Sequence, residues 1–365
     1  MFRVNNQHVL VGISGGVDSA VAALRLIQAG YRVEGLFMKN WEEDDTPGYC
    51  AAEQDLRDAQ AVCDRLGIIL HKVNFSHDYW EHVFQTFLTE YRCGRTPNPD
   101  IMCNKHIKFK AFLEHALGLG ANRIATGHYA RITRTENGYA LGKGVDKNKD
   151  QSYFLCALGQ KELAYTLFPL GEMIKADVRT LARQAGFSNY AKKDSTGICF
   201  IGERRFREFL ARFLPPQPGD IISTDGQLMG RHPGTVYYTL GQRQGLGIGG
   251  RTTSSGQPWY VAGKDINKNQ LVVVQGHDHP LLYSRGLVAD EIHWISGHEP
   301  NTPYRCEVQT RYRQTAQACV ITKIKDGSFR VDFSNKQRAI TPGQAVVFYS
   351  GDRCLGGGVI KQSIN

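Results

Sequence analysis

Short apolar runs alternate with helix-like stretches over the first two hundred positions. His8 to Ile13 (HVLVGI) is nearly all apolar, the pattern of a strand buried on both faces. Ser19 to Ala29 predicts a helix that Gly30 ends. Tyr31 to Met38 predicts a second strand, Gln54 to Leu66 a helix closed by Gly67, and Ile68 to Phe75 a third strand. Phe109 to Leu117 is expected to be helical, and Arg123 to Thr126 to begin a fourth strand. Strand and helix in repetition imply an α/β fold, a doubly wound parallel sheet with helices on both faces. Such a sheet binds ligands at the carboxyl ends of its strands. The style changes after about residue 205. Leu214 to Gly219 (LPPQPG) marks a loop near a boundary, and glycines crowd Gly241 to Gly256. From about residue 285 two-residue alternation predicts hairpins. One runs from Cys319 to Phe333 around Asp326-Gly327. Another runs from Ala345 to Ile360 around Ser350-Gly351-Asp352, with a glycine-bent second arm. This tail is expected to form a small antiparallel barrel.

The chain has 365 residues, enough for two or three domains. Apolar residues at 41% and charged residues at 22% are those of a globular protein. No run approaches the roughly 18 apolar residues of a membrane span, and MFRVNNQHVL lacks the apolar core of a signal peptide. A cytoplasmic protein with no membrane partner is expected. The net charge of +9 favours a polyanionic partner, although a merely soluble basic enzyme fits equally. More of the basic excess lies after residue 205 than before it, which suits an RNA-gripping surface there. The nine cysteines (50, 63, 93, 103, 156, 199, 306, 319 and 354) form no CxxC pair and no zinc-knuckle spacing. This argues against a structural metal and against a disulfide scaffold.

The sharpest local signal is Gly12-Ile13-Ser14-Gly15-Gly16-Val17-Asp18-Ser19, which follows a strand and opens a helix. That placement turns unpaired N–H groups toward an anion. Gly15 and Gly16 let the backbone approach phosphate oxygens, and Ser14 and Ser19 add hydroxyl donors. Asp18 by itself would repel phosphate; it makes sense with Mg2+ between them. The GK[ST] ending of a Walker loop is absent. SGGxDS resembles the pyrophosphate loop of ATP pyrophosphatases, which form an adenylate and release pyrophosphate.

Two cysteines stand in suggestive settings. Cys103 ends Asn98-Pro99-Asp100-Ile101-Met102-Cys103, near an expected helix start and beside Lys105, Lys108 and Lys110. A helix N-terminus and nearby cations favour thiolate. Asp100, three residues earlier, is a candidate acid or base. Cys199 lies in Asp194-Ser195-Thr196-Gly197-Ile198-Cys199, flanked by Lys192, Lys193, Arg204 and Arg205. Each cysteine alone also reads as a buried structural residue. Together they suit sulfur transfer, in which one thiol carries a persulfide and a second takes up the linkage as a disulfide.

SGGVDS, FMKNWEEDD, GRTPNPDIMCNK, ATGHYAR, NKDQSYFL, DSTGICFIGER, TLGQRQGLGIGG, PWYV, TRYRQ and TPGQAVVFY together resemble the bacterial tRNA-specific 2-thiouridylases (the MnmA/TrmU family) over essentially the whole chain. The resemblance implies an ATP pyrophosphatase domain, 1–205, a central domain, 206–284, and a tRNA-contacting C-terminal β-barrel, 285–365. It implies ATP binding by Gly12 to Ser19, Met38 and Gly127. Asn98, Pro99 and Asp100 would face the target base, with Asp100 as acid/base, Cys199 as persulfide carrier and Cys103 as its catalytic partner. Contacts to tRNA would come from His128, Lys149, Asp150, Gln151, Arg311, Tyr312 and Gln344. The implied substrate is the wobble uridine of the tRNAs for Lys, Glu and Gln. The sulfur would be persulfide sulfur from a relay protein or a cysteine desulfurase. On the residues alone, His128 also reads as an ordinary loop histidine, Lys149-Asp150 as a solvated turn and Arg311-Tyr312-Arg313 as an exposed strand edge. Trp41 to Asp45 (WEEDD) reads as a solvated acidic loop or a docking site for a basic sulfur donor.

Two rival readings remain. An ATP-dependent amide or amidino synthetase would share the fold but has no task for Cys103, Cys199 or a basic tail. An RNA-binding or redox-relay protein without ATP chemistry leaves SGGVDS unexplained.

Overall fold

The structure, a computed structural model, describes residues 7–44, 52–194, 206–248 and 256–365. Strands β1 (His8–Gly12), β2 (Arg32–Lys39), β3 (Leu70–Asn74) and β4 (Arg123–Ala125) join a two-residue strand, β7 (Thr166–Leu167), in a five-stranded sheet. Every pairing in it is parallel, in the order β3-β2-β1-β4 and then Thr166–Leu167. β1 is completely buried and supplies both faces. Val9, Val11 and Ile13 pack on one side with helix α1 (Val17–Gln28), helix α2 (Glu53–Leu66) and the helix Lys175–Gln184. Leu10 and Leu36 pack on the other side with Tyr79, Phe84, Phe109 and Phe112. Side chains alternate along a strand, so a continuous apolar run is what a central parallel strand requires. The chain leaves β1 toward β2 on one side and later returns to place β4 on the other. The gap between β1 and β4 is therefore the topological switch point, where such sheets bind ligands.

The expected elements fall within a few residues of those observed, with helix and strand ends shifted as caps and edges dictate. α1 begins at Val17 rather than Ser19, and β3 is shorter than the expected Ile68 to Phe75. The helical run that includes Phe109 to Leu117 is longer than expected. It starts at Pro99, continues as a π-helix over Asn104–Ala111 and ends at Gly118.

One expectation holds only in part. Glu42 and Glu43 are exposed on a loop, but Trp41 before them is buried, with ring centroids of Tyr79, Phe84, Phe209 and Phe213 at 4.8–6.2 Å. Phe209 belongs to the helix Phe206–Ala211, and Arg212 Nη1 donates to Asp44 Oδ1 at 2.8 Å. The aromatic cluster fastens the start of the later part of the chain onto the α/β unit. The acidic run misled because the large apolar side chain beside it decides the packing. Asp45 itself lies outside the described residues.

Between Gly219 and Gln275 a four-stranded sheet forms from β8 (Gly219–Ser223), β9 (Leu228–His232), β10 (Trp259–Asp265) and β11 (Gln270–Gln275), in the order β10-β11-β8-β9. The last part comprises β12 (Tyr283–Trp294), β13 (Tyr304–Gln309), β14 (Gln317–Lys323), β15 (Phe329–Arg338), β16 (Ala345–Ser350) and β17 (Arg353–Ile364). Pairing of β12 with β17 closes these six antiparallel strands into a barrel around Leu287, Ile321, Val331, Val346 and Phe348. Both expected hairpins are present as β14–β15 and β16–β17. A hairpin from the α/β part, β5 (Ala130–Thr135) with β6 (Gly138–Lys143), extends the barrel sheet, because β6 pairs with β17 at Leu141 and Gly142. Nothing local in the sequence announces that pairing.

Replacing Trp41 with alanine is expected to lower the free energy of unfolding by about 3–5 kcal/mol, as for other large buried aromatics. Glu43→Ala is expected to stay within about 0.5 kcal/mol. Chemical denaturation of the two variants checks the contrast.

Candidate active site

The loop between β1 and α1 is shaped by hydrogen bonds of its own. Ser19 Oγ accepts from Ser14 N at 3.2 Å and donates to Gly16 O at 3.0 Å; Gly16 N donates to Ser14 Oγ at 3.4 Å. Gly15 has φ +74°, and a Cβ there would lie 2.4 Å from Asp55 O. Only glycine meets both constraints. Gly16 precedes α1 with extended backbone and no side-chain cap, so the first N–H groups of the helix lack an intrahelical partner. Gly127, just past β4 across the switch point, approaches so closely that a Cβ would sit 2.8 Å from Ser19 N. Met38, near the end of β2, reaches toward Gly12: a Cβ on Gly12 would lie 3.3 Å from Met38 Cε. The structure thus brings together Gly12 to Ser19, Met38 and Gly127 at the carboxyl ends of three adjacent strands.

Asp18 is heavily engaged. The Tyr129 hydroxyl donates to Asp18 Oδ1 at 2.7 Å, and Lys175 Nζ donates to Oδ1 at 2.7 Å and Oδ2 at 2.8 Å. Burial, and then the charge of Asp18, push the Tyr129 phenol well above its usual range, so it remains a donor. Lys175 also contacts Asp194 Oδ1 at 2.6 Å, and Asp194 pairs with Lys149 and with Arg179. Burial alone would raise the Asp194 carboxyl. Hydrogen bonds from Lys149 and Lys175 outweigh it and hold the group at about 2. On the opposite flank, Asn189 Nδ2 donates to Gly15 O at 2.9 Å, and Lys192 bridges Gly15 O to Asp55 and Asp58. Sequence reasoning missed Tyr129, Lys175 and Asn189. Tyr129 stands inside ATGHYAR and Asp194 heads DSTGICF, whereas Lys175 has no motif around it and only the tertiary fold reveals it. The oxygen donors of Asp18, Ser14 and Ser19 suit a hard cation such as Mg2+ arriving with polyphosphate.

The second group of expected residues lies on the turn into the Pro99–Gly118 helix. Asn98 caps it, its Oδ1 accepting from Asp100 N at 3.2 Å and Ile101 N at 3.3 Å, with Pro99 in the first turn. Cys103 lies at the end of the first α-helical segment and is completely buried in the apolar core, as the structural reading of this cysteine allowed. The π-helix that begins at Asn104 follows directly, and Asn104 Nδ2 donates to Phe154 O at 2.9 Å. Cys199 and the rest of 195–205 lie outside the described residues.

The remaining candidates turn out to be held by the protein itself. His128 is buried, sharing a 2.7 Å hydrogen bond with the Thr126 hydroxyl and packing on Phe109 and Phe168; it is no ordinary loop histidine. Burial, with Lys108 adding to it, drives its pKa well below 6.5, so the ring is neutral. Lys149 and Asp150 do not form a solvated turn. Lys149 binds Asp194, and Asp150 accepts from Gly144 N, Ser152 N and Ser152 Oγ at 2.9–3.1 Å. Burial still leaves the Asp150 carboxyl raised. Gln151 Oε1 accepts from Tyr129 N at 3.0 Å. Arg311 is no exposed strand edge: its Nη2 donates to Leu240 O, Ala339 O and Thr341 Oγ1 at 2.9–3.3 Å. Tyr312 packs on Phe154 at 4.4 Å between centroids, with the Arg313 guanidinium 5.2 Å from its ring. Gln344 Nε2 donates to Thr96 O at 2.8 Å, just before the Asn98 cap.

A parallel α/β sheet with an SGGxDS loop at its switch point, followed by two β-domains, defines an ATP pyrophosphatase-type enzyme. Family models for a "tRNA methyl transferase HUP domain", a "tRNA methyl transferase PRC-barrel domain" and an "Aminomethyltransferase beta-barrel domain" match residues 7–203, 207–275 and 284–360. The tRNA-specific 2-thiouridylase MnmA of Methylococcus capsulatus is 61% identical over 98% of this chain and 97% of its own. That of Pseudomonas aeruginosa is 59% identical over 97% and 94%. A solved 4-thiouridine synthetase–RNA complex with bound ATP is similar at 16% identity, covering 57% of this chain and 50% of that one, with a TM-score of 0.34. The chain belongs to the tRNA-specific 2-thiouridylase (MnmA) family.

The neutral, buried His128 ties stability to pH. Its folded pKa lies below the unfolded value of about 6.5, so the unfolded chain takes up the proton first. The stabilisation is complete above about pH 6.5 and is lost as pH falls toward the folded pKa. Thermal midpoints between pH 7 and pH 5 are expected to fall less steeply in His128→Gln than in the wild type.

Proposed function

We propose that this protein is a tRNA 2-thiouridine synthase that activates a tRNA uridine with ATP and replaces its C2 oxygen with sulfur. The observation that carries the reading is the SGGVDS loop at the switch point, in a chain whose full-length relatives are named 2-thiouridylases. The substrate is the wobble uridine, position 34, of the tRNAs for Lys, Glu and Gln, and the setting is the cytoplasm. An anticodon loop is single-stranded, so unstacking its base costs little.

ATP sits on Gly12 to Ser19, Met38 and Gly127, with Mg2+ offsetting phosphate charge. Uridine O2 attacks the α-phosphate, pyrophosphate leaves, and a poor leaving oxygen becomes part of AMP. Asn98, Pro99 and Asp100 face the base, with Asp100 as the acid/base. The terminal sulfur of a Cys199 persulfide is delivered to C2 and AMP departs. Cys103 thiolate takes the Cys199 sulfur as a Cys103–Cys199 disulfide, and the sulfur–sulfur electrons go to the transferred atom. A reductant then restores both thiols, and a relay protein or cysteine desulfurase reloads Cys199. Cys103 is fully buried, so this step takes place out of contact with bulk water. His128, Lys149, Asp150, Gln151, Arg311 and Gln344 serve tRNA binding chiefly by holding the surrounding loops, since their polar groups are engaged within the protein, while Tyr312 packs its ring on Phe154. Methyl transfer, which the names of the family models would suggest, leaves the phosphate loop and the paired cysteines without a task.

The test is 2-thiouridine formation in unmodified tRNA for Glu with ATP, Mg2+ and a sulfur donor. Cys199→Ser is expected to abolish thiolation while AMP and pyrophosphate still form. Undiminished thiolation in that variant would sink the persulfide mechanism.

A further inference from the structure

The phosphate loop contains its own obstacle, the Asp18 carboxylate, and the residue that answers it comes from a distant segment. Lys175 opens the helix Lys175–Gln184, which packs against α1 in the core on that face of the sheet. Its backbone N–H is fixed by Asp146 Oδ2 at 2.9 Å, and the side chain is only 11% exposed. Burying an ammonium is costly unless it is paired. Here Nζ contacts both oxygens of Asp18 and one of Asp194. Asp194 has two further cations, Lys149 and Arg179, whereas among the described residues Asp18 has Lys175 alone. Among the described residues these ion pairs set Lys175, Lys149 and Arg179 against Asp18 and Asp194, while a third carboxylate, Asp146, is engaged by the Lys175 N–H and not by its ammonium. If Asp18 is taken by another cation, Lys175 is left with Asp194, which Lys149 and Arg179 already satisfy. The ammonium then loses its principal partner and is placed at the loop to take another anion. The other lysine at this loop, Lys192, is matched by Asp55 and Asp58.

We propose that Lys175 is a polyphosphate-binding residue. Its ammonium is kept in place by Asp18 and passes to the β- and γ-phosphate oxygens of ATP when the nucleotide's divalent cation takes the Asp18 carboxylate. This rests on the reading of the loop as an ATP site. It adds a residue outside SGGVDS that recognises the pyrophosphate half of the ligand and not the nucleoside. The Tyr129 hydroxyl on Oδ1 keeps the carboxylate oriented during the exchange.

The experiment is equilibrium binding of a non-hydrolysable ATP analogue and of AMP, each with Mg2+, to wild type, Lys175→Met and Lys175→Arg, with thermal melting of each protein alongside. Losing one charge-assisted contact is expected to weaken the ATP analogue about tenfold or more in Lys175→Met. AMP should change less than about twofold, and Lys175→Arg should recover most of the loss because it keeps the charge. Should Lys175→Met not fold, the same ratio is read on Lys175→Gln. Equal weakening of ATP analogue and AMP, or no weakening of either, overturns the assignment of Lys175. A wild type that binds no ATP analogue overturns the ATP reading itself, a result distinguishable from the first because it appears before any substitution is made.

Discussion

A carboxylate inside an anion-binding loop must be neutralised, and the architecture around Asp18 follows from that need. Gly15, Gly16 and the open first turn of α1 create a site for negative charge. Asp18, in the same turn, works against it until a cation is supplied. Lys175 and Tyr129 meet Asp18 from two other parts of the chain, so this one charge ties the β4–β5 connection and the Lys175–Gln184 helix to the loop. Asp194 extends the network to Lys149 and to the border of the segment that holds Cys199. A neutral residue at position 18 would leave these elements joined by their apolar packing alone and the Lys175 ammonium without its Asp18 partner.

The C-terminal barrel has a comparable mechanical relation to the turn that carries Asn98 and Asp100. Gln344 Nε2 donates to Thr96 O, Thr96 N donates to Pro342 O, and the Tyr153 hydroxyl donates to Ala345 O at 3.1 Å. Arg311 in turn joins the barrel to the preceding domain through Leu240 O. Hydrogen bonds between buried partners are costly to break because each leaves an unsatisfied group. The barrel is therefore a support for the turn proposed to face the base.

The parts legible in the sequence were those with a local cause. β1 could be read because a strand buried on both faces must be apolar throughout, and SGGVDS because close backbone approach demands glycine. The β14–β15 and β16–β17 hairpins could be read because Asp-Gly and Ser-Gly-Asp turns fix their positions. What escaped was set by distant partners. Trp41 sits in an acidic run, yet Phe84, Phe209 and Phe213 bury it. The bonds of Arg311 and Gln344 to main-chain carbonyls had no local signal either. Cys103 had two readings in the sequence, and the helix that starts at Pro99 turns its thiol into the core. Lys175 carried no signal at all, since its importance lies in a contact 157 residues away.

The central claim is that uridine O2 is the nucleophile toward ATP, so that the displaced oxygen leaves in AMP. The most direct test uses tRNA whose target uracil carries oxygen-18 at C2, incubated with ATP and a sulfur donor, with mass spectrometry of the AMP formed. The account predicts one oxygen-18 in AMP for each 2-thiouridine made. Thiolation accompanied by unlabelled AMP would contradict it.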